Sequence, residues 1–153
     1  MSDETLTTIR YADDLTIGEV VELGEYTIDE AELVAFARQW DPQGFHVDRE
    51  VAENGWFGGL IASGIHSIAV LQRLSVLNAY GTMAVIAGRN VRDVQFLRPV
   101  RPGDLLVGSM RVDDVVLDDR GRGLVTFTQT LADADGTPFL SQVAEVLVRR
   151  RPA

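Results

Sequence analysis

The chain contains no cysteine and no lysine, and only two histidines, His46 and His66. Without cysteine there can be no disulfide, thiol nucleophile, iron–sulfur cluster or cysteine zinc site. Without lysine there is no Schiff-base catalysis, no pyridoxal phosphate attachment and no phosphate loop with its lysine. All 14 basic residues are arginine, so a mechanism that needs an imidazole has two residues to choose from. Long apolar runs are missing as well. No stretch approaches the roughly 18 unbroken apolar residues of a membrane helix. The segment Met1 to Arg10 is polar and acidic, unlike a secretory signal. These absences predict a cytoplasmic protein with no membrane partner.

What is present reads as one domain. The 153 residues are 46% hydrophobic and 24% charged, ordinary for a folded domain that buries roughly 70% of its unfolded surface. A single domain over 1–153 is expected, with 1–14 loosely ordered. The net charge is −9, and it is unevenly spread. Residues 1–60 hold 14 acids and 3 arginines, while residues 61–153 hold 9 acids and 11 arginines. An acidic total disfavours nucleic acid as a partner. Arg89, Arg92, Arg98 and Arg101 fall within 13 residues. Such a cluster suits a small polyanion; a solvated strand edge is the competing reading.

Helices come early and strands late. Residues 19–28 have strand composition. Asp29 is a helix N-cap with Glu32 three positions on, and Leu33, Phe36, Ala37 and Trp40 share one apolar face. Pro42 disfavours helical geometry at Asp41. A glycine-punctuated loop, with a short turn near 48–52, leads to the most apolar stretch, Leu60 to Leu77. Apolar residues occupy nearly every side of it, which predicts a helix enclosed by other structure and ended near Gly81. Short runs at 83–87 and 91–97 follow, then a Pro102-Gly103 turn, a strand at 105–117 and a turn at 119–121. A strand of strict period two follows at 124–132, then an Asp135-Gly136 hairpin and a last strand at 139–150. The pattern is α+β, an antiparallel sheet curled around one apolar helix.

Two places can carry chemistry. Asp41 and His46 lie five residues apart in one loop, where a carboxylate and an imidazole can converge on one water as general base and acid. Ser63-Gly64 precedes the apolar helix, whose first amides lack internal partners and sit at the positive end of the dipole. Gly64 leaves its N–H open to an oxygen ligand, with Ala62 and Ser63 beside it. His66 lies in the first turn of that helix, where a core histidine bonded to a carbonyl is the competing reading. His46 and His66 form no chelating motif, so no metal is expected. A Ser63 nucleophile lacks the Gly-x-Ser-x-Gly elbow.

The run Phe36 to Asp48, containing Trp40-Asp41-Pro42-Gln43-Gly44-Phe45-His46, resembles the hydratase motif of MaoC-like dehydratases, the family that includes (R)-specific enoyl-CoA hydratases. Ala52, Phe57 to Gly64 and Phe96 to Asp104 continue the likeness, which spans about residues 15–150. Gln43-Gly44 departs from the family's usual Asn-Pro, and Ser63-Gly64 from its usual His-Gly. The resemblance implies a hot-dog fold, a catalytic Asp41–His46 dyad and a thioester oxygen held at the Gly64 amide, with Gln43 near the site. It further implies a polar helper on the helix, by spacing Gln72, with Ser67 and His66 as substitutes. The implied reaction is hydration of a trans-2-enoyl thioester. The implied assembly is a homodimer. No cofactor is implied beyond coenzyme A as part of the substrate. Trp40, Phe45, Trp56 and Phe57 are candidates for the acyl pocket, and Arg98 and Arg101, before Arg89 and Arg92, for the coenzyme A phosphates. Two rival readings are a hot-dog thioesterase and a non-catalytic acyl-thioester-binding protein.

Overall fold

The computed structural model describes residues 8–153. Strand β1 (Val20–Thr27) leads to helix α1 (Glu30–Trp40), two one-turn helices α2 (Gly44–Val47) and α3 (Arg49–Glu53), and the long helix α4 (Gly64–Asn78). Strands β2 (Val85–Phe96), β3 (Leu105–Leu117), β4 (Arg122–Ala132) and β5 (Pro138–Arg149) complete the chain. All neighbouring strands pair antiparallel, in the order β1-β3-β4-β5-β2. The sheet packs one face on α4, which is the hot-dog arrangement of an α+β fold.

Period-two patterning sets the sheet face. Along β4, Val125, Phe127, Gln129 and Leu131 are buried while Thr126, Thr128 and Thr130 turn outward. Their inward side chains meet Leu71 and Leu74 of α4 in one core with Leu23, Leu106, Met110 and Leu140. A polar chain crosses that core. Gln142 donates to Gln129, and Gln129 donates to Ser75 Oγ and Tyr80 Oη.

Asp29 caps α1 by accepting from the Glu32 amide at 2.8 Å. The reciprocal half of a capping box is not made, because the Glu32 carboxylate instead accepts from Tyr26 Oη at 2.6 Å.

Three expectations need correction. Helix α4 starts at Gly64, not Leu60. Ser63 caps it, and residues 60–62 run extended because their backbone groups pair outside the helix: the Ala62 amide donates to the Val100 carbonyl. The helix is not enclosed on every side. Its sheet-facing residues are buried, but Ile65 and Leu77 on the outer face are 56% and 61% exposed. The two short runs at 83–87 and 91–97 form one strand, β2, whose register breaks at three points; Asp93 takes a left-handed φ of 52°. In the N-terminal segment, the described residues include two tied to the fold. Arg10 bridges Met83 and pairs with Glu19, and Ala12 is fully buried. Residues 1–7, the rest of the segment expected to be loose, lie outside the described residues. Among the described residues no helix is long and apolar enough to cross a membrane.

Candidate active site

Helix α1 ends at Trp40 with Asp41 as its C-cap because Pro42 follows, and the chain turns at once into α2. That single turn carries His46 inward, where it is 4% exposed. Its Nδ1 lies 2.6 Å from the Ile61 carbonyl oxygen. A carbonyl only accepts, so Nδ1 carries the proton and Nε2 is left for chemistry. Nε2 stands 3.3 Å from Asp41 Oδ2. Phe45 packs edge-on against the imidazole at 4.4 Å and braces it.

Asp41 is held from two further directions. Ser63 Oγ donates to Oδ2 at 2.7 Å, and Gln43 Nε2 donates to Oδ1 at 2.8 Å. Burial opposes ionisation of this carboxyl. The Ser63 and Gln43 hydrogen bonds and the nearby His46 outweigh it and hold Asp41 below the ordinary carboxylate range.

Ser63 also caps α4. Its Oγ accepts from the Ile65 amide at 3.2 Å, while its carbonyl accepts from the amides of His66 and Ser67. Of the four amides that open the helix, Gly64's alone has no acceptor among the described residues. A glycine is required there. A Cβ on residue 64 would stand 2.5 Å from Cε1 of Phe96, whose ring lies against the backbone.

These groups open onto one cavity of about 300 Å³. Its polar lining comes from Asp41, Gln43, His46, Ser67 and Arg98, and its apolar walls include Phe57, Ile61, Ala62, Phe96, Leu97 and Phe139. The arrangement offers a held carboxylate, an imidazole with one available nitrogen and an unpaired amide at a positive helix end. It can activate a water and receive a developing oxyanion.

Asp41, Gln43, His46, Phe57, Ala62 and Gly64 thus share the cavity, and Ser63 stands behind it, fully buried. Other expectations are not met. Trp56 is 95% exposed and Trp40 64%, and neither lines the cavity, because each side chain projects outward from its turn. His66 faces away from the dyad. It stacks on Phe36 at 4.3 Å, with Nε2 3.6 Å from Glu32, and lines a separate small cavity with Tyr26 and Arg73. Burial pushes its pKa down, against the pull of Glu32. Gln72 is exposed and lines a third cavity beside Tyr80.

The arginines do not pool into one patch. Arg92 pairs with Glu145 and Asp93. Arg98 pairs with Asp133 and lies 3.8 Å over the Phe139 ring. Arg101 donates to the Phe57 carbonyl at 2.6 Å. Arg89 has no ion pair among the described residues. Among the described residues, no group of three or more histidines and carboxylates is placed to hold a metal ion.

A family model described as "MaoC like domain" matches residues 13–133. The chain belongs to the MaoC-like domain family. Within this family the chain is 34% identical, over 138 residues, to 3-hydroxyacyl-thioester dehydratase Z of Mycobacterium tuberculosis, covering 86% of this chain and 89% of the relative. It is 30% identical to the uncharacterised Bacillus subtilis protein YdeM, over 90% of this chain and 98% of the relative. The crystal structure of a MaoC-like dehydratase from Rhodospirillum rubrum superposes with a TM-score of 0.84 at 32% identity, over 94% of this chain and 99% of that one. MaoC-like membership supports a dehydratase or hydratase role.

Phe96, Leu97 and Phe139 line the MaoC-like site, although none of them was expected there: Phe96 and Leu97 entered only as the start of the Phe96 to Asp104 likeness. They come from the end of β2, the link after it and the start of β5, more than 30 residues from Gly64 in chain position. Nothing local in the run at 91–97 marked which of its side chains would face the site.

Proposed function

We propose that the protein reversibly hydrates a trans-2-enoyl thioester, carried on coenzyme A, to a 3-hydroxyacyl thioester. One observation carries the reading: the Asp41–His46 pair and the unpaired Gly64 amide open onto the same largely apolar cavity.

The chemistry follows from the groups. Asp41, held as a carboxylate, and His46 Nε2 are both acceptors and can share the two hydrogens of one water. His46 takes a proton as the water oxygen bonds to the β-carbon, and Asp41 stabilises the imidazolium that forms. The π electrons move toward the thioester oxygen. The enolate oxygen is met by the Gly64 N–H and the helix dipole, a kind of contact worth about 10²–10³-fold in rate. His46 then returns the proton to the α-carbon, so water has added across the double bond and the dyad is restored. The aliphatic and aromatic walls from Phe57, Phe96, Leu97 and Phe139 suit the acyl group. No step calls for a metal or redox cofactor. Arg101 follows Val100 of the cavity wall and has no carboxylate partner on its side chain among the described residues, which makes it the phosphate-binding candidate beside the site. Arg98 is taken up by Asp133, the Thr137 carbonyl and Phe139.

The outer edges of β1 and β2 end the sheet. β2 is 12 residues long and exposes Val85, Ile86 and Val91, a liability that pairing with a second copy would cover. A homodimer belongs to this proposal.

Crotonyl-CoA tests the reaction. Loss of the enoyl absorbance without thiol release supports hydration. Thiol release means hydrolysis. Neither change leaves an acyl-binding protein.

A further inference from the structure

We infer that Ser67 is a second oxyanion donor, its hydroxyl joining the Gly64 amide on the thioester oxygen; this rests on the hydratase reading above.

Ser67 is 4% exposed, yet it contributes to the wall of the site cavity. Its hydroxyl makes no hydrogen bond among the described residues. The residue is buried, but its Oγ is not among the buried side-chain atoms left without a partner, so the hydroxyl reaches the cavity. The same helix shows the alternative. Ser75, two turns on and fully buried, closes its hydroxyl onto the Leu71 carbonyl at 2.7 Å and accepts from Gln129. At Ser67 the carbonyl one turn back belongs to Ser63, and it already accepts two amides, from His66 and Ser67. The Ser67 hydroxyl is therefore left to the cavity.

Helix geometry places it well. Residues three apart share a face, and the Cα–Cβ bond tilts toward the helix N-terminus. Ser67 thus leans back over the turn that begins at Gly64, and residue 64 has no side chain to intervene. The surrounding wall is apolar, with Phe96, Leu97 and Phe139 nearby in the lining. In such a wall a lone O–H aimed beside an unpaired N–H gives one oxygen two donors. Both groups ride on one rigid helix, so their spacing is fixed before substrate arrives.

The test uses the full chain. Hydration of crotonyl-CoA is measured for wild type, Ser67→Ala and Ser67→Thr, with thermal unfolding to check that each is folded. Enolisation of bound acetoacetyl-CoA is followed by its near-ultraviolet enolate absorbance against pH. Ser67→Ala is expected to lower kcat about 100-fold with KM little changed, to move enolate formation to higher pH, and to be largely rescued by threonine. If wild type hydrates crotonyl-CoA and Ser67→Ala keeps kcat within about threefold, the inference is overturned while the hydratase reading stands. A loss confined to KM overturns it as well, since that is uniform binding. If wild type does not hydrate crotonyl-CoA, the hydratase reading fails. The enolate titration then decides Ser67 alone: a shift in Ser67→Ala supports the donor and an unchanged titration refutes it.

Discussion

Replacing Ser63 by alanine removes two interactions at once, and pH separates them. The hydroxyl donates to Asp41 Oδ2 at 2.7 Å and accepts from the Ile65 amide at 3.2 Å. A hydrogen bond to a charged partner contributes about 1.5–3 kcal/mol. Loss of an N-cap costs about 1 kcal/mol. Together, Ser63→Ala should destabilise the fold by about 2.5–4 kcal/mol near neutral pH. For a chain of this size that lowers Tm by roughly 5–16 °C. The first contribution needs Asp41 ionised. Its pKa lies below the unfolded value, so its stabilisation is present above the ordinary carboxylate range and fades as pH falls through the folded value. The Tm difference between wild type and variant should therefore shrink toward the cap contribution as pH falls below the ordinary carboxylate range. The same loss should move the acid limb of the kcat/KM profile to higher pH, because the carboxylate is held less firmly. Calorimetry at pH 7 and at a pH below the ordinary carboxylate range measures the first effect and crotonyl-CoA hydration the second. An equal Tm loss at both pH values would show that Ser63 acts as a cap only, and the coupling to Asp41 would be refuted.

Three further outcomes are expected. Asp41→Asn and His46→Ala should each lower hydration at least about 100-fold with the fold retained; near-wild-type rates in both would end the dyad mechanism. Arg101→Ala should raise KM for crotonyl-CoA and weaken its salt dependence with kcat little changed, whereas an unaltered KM and salt response would mean the phosphates bind elsewhere. Light scattering at micromolar concentration should give about 34 kDa, twice the 16.8 kDa chain; a monomer contradicts the paired sheet edges.

Local signals carried much of the fold. Asp29 with Glu32 marked the start of α1, and Pro42 marked its end within one residue. The alternation of Thr126, Thr128 and Thr130 gave β4 its face. Asp41 and His46 were legible as neighbours because only five positions separate them, although the stretch expected as loop includes the one-turn helix α2, and Ile61 and Ser63 hold the pair in place. The failures share one cause: they depend on what arrives from far away in the sequence. Residues 60–62 look like helix by composition but are extended because Val100 supplies a strand-like partner. His66 sits two residues past Gly64, and helical rotation turns it toward Phe36 and Glu32 instead of the dyad. The four arginines look like one basic patch in the chain. Asp133, Glu145 and the Phe57 carbonyl divide them in space. Trp40 and Trp56 suit a pocket by chemistry, yet each leaves its turn on the solvent side.

The site has a physical unity that spacing alone did not reveal. Four consecutive residues hold nearly all of it. The Ile61 carbonyl fixes the His46 tautomer, the Ala62 amide ties the segment to Val100, Ser63 holds Asp41 and caps the helix, and Gly64 presents the unpaired amide. The Asp41–His46 pair and the unpaired Gly64 amide, to which the proposed reaction gives water activation and the enolate oxygen, are thus fixed to one short stretch of backbone. Their relative positions cannot drift without breaking a buried hydrogen bond. That rigidity is what electrostatic stabilisation requires, since a donor that must reorganise during reaction loses most of its advantage. It also explains why a serine can stand before Gly64. In this chain a small buried hydroxyl faces Asp41 as a donor and accepts from the helix at once.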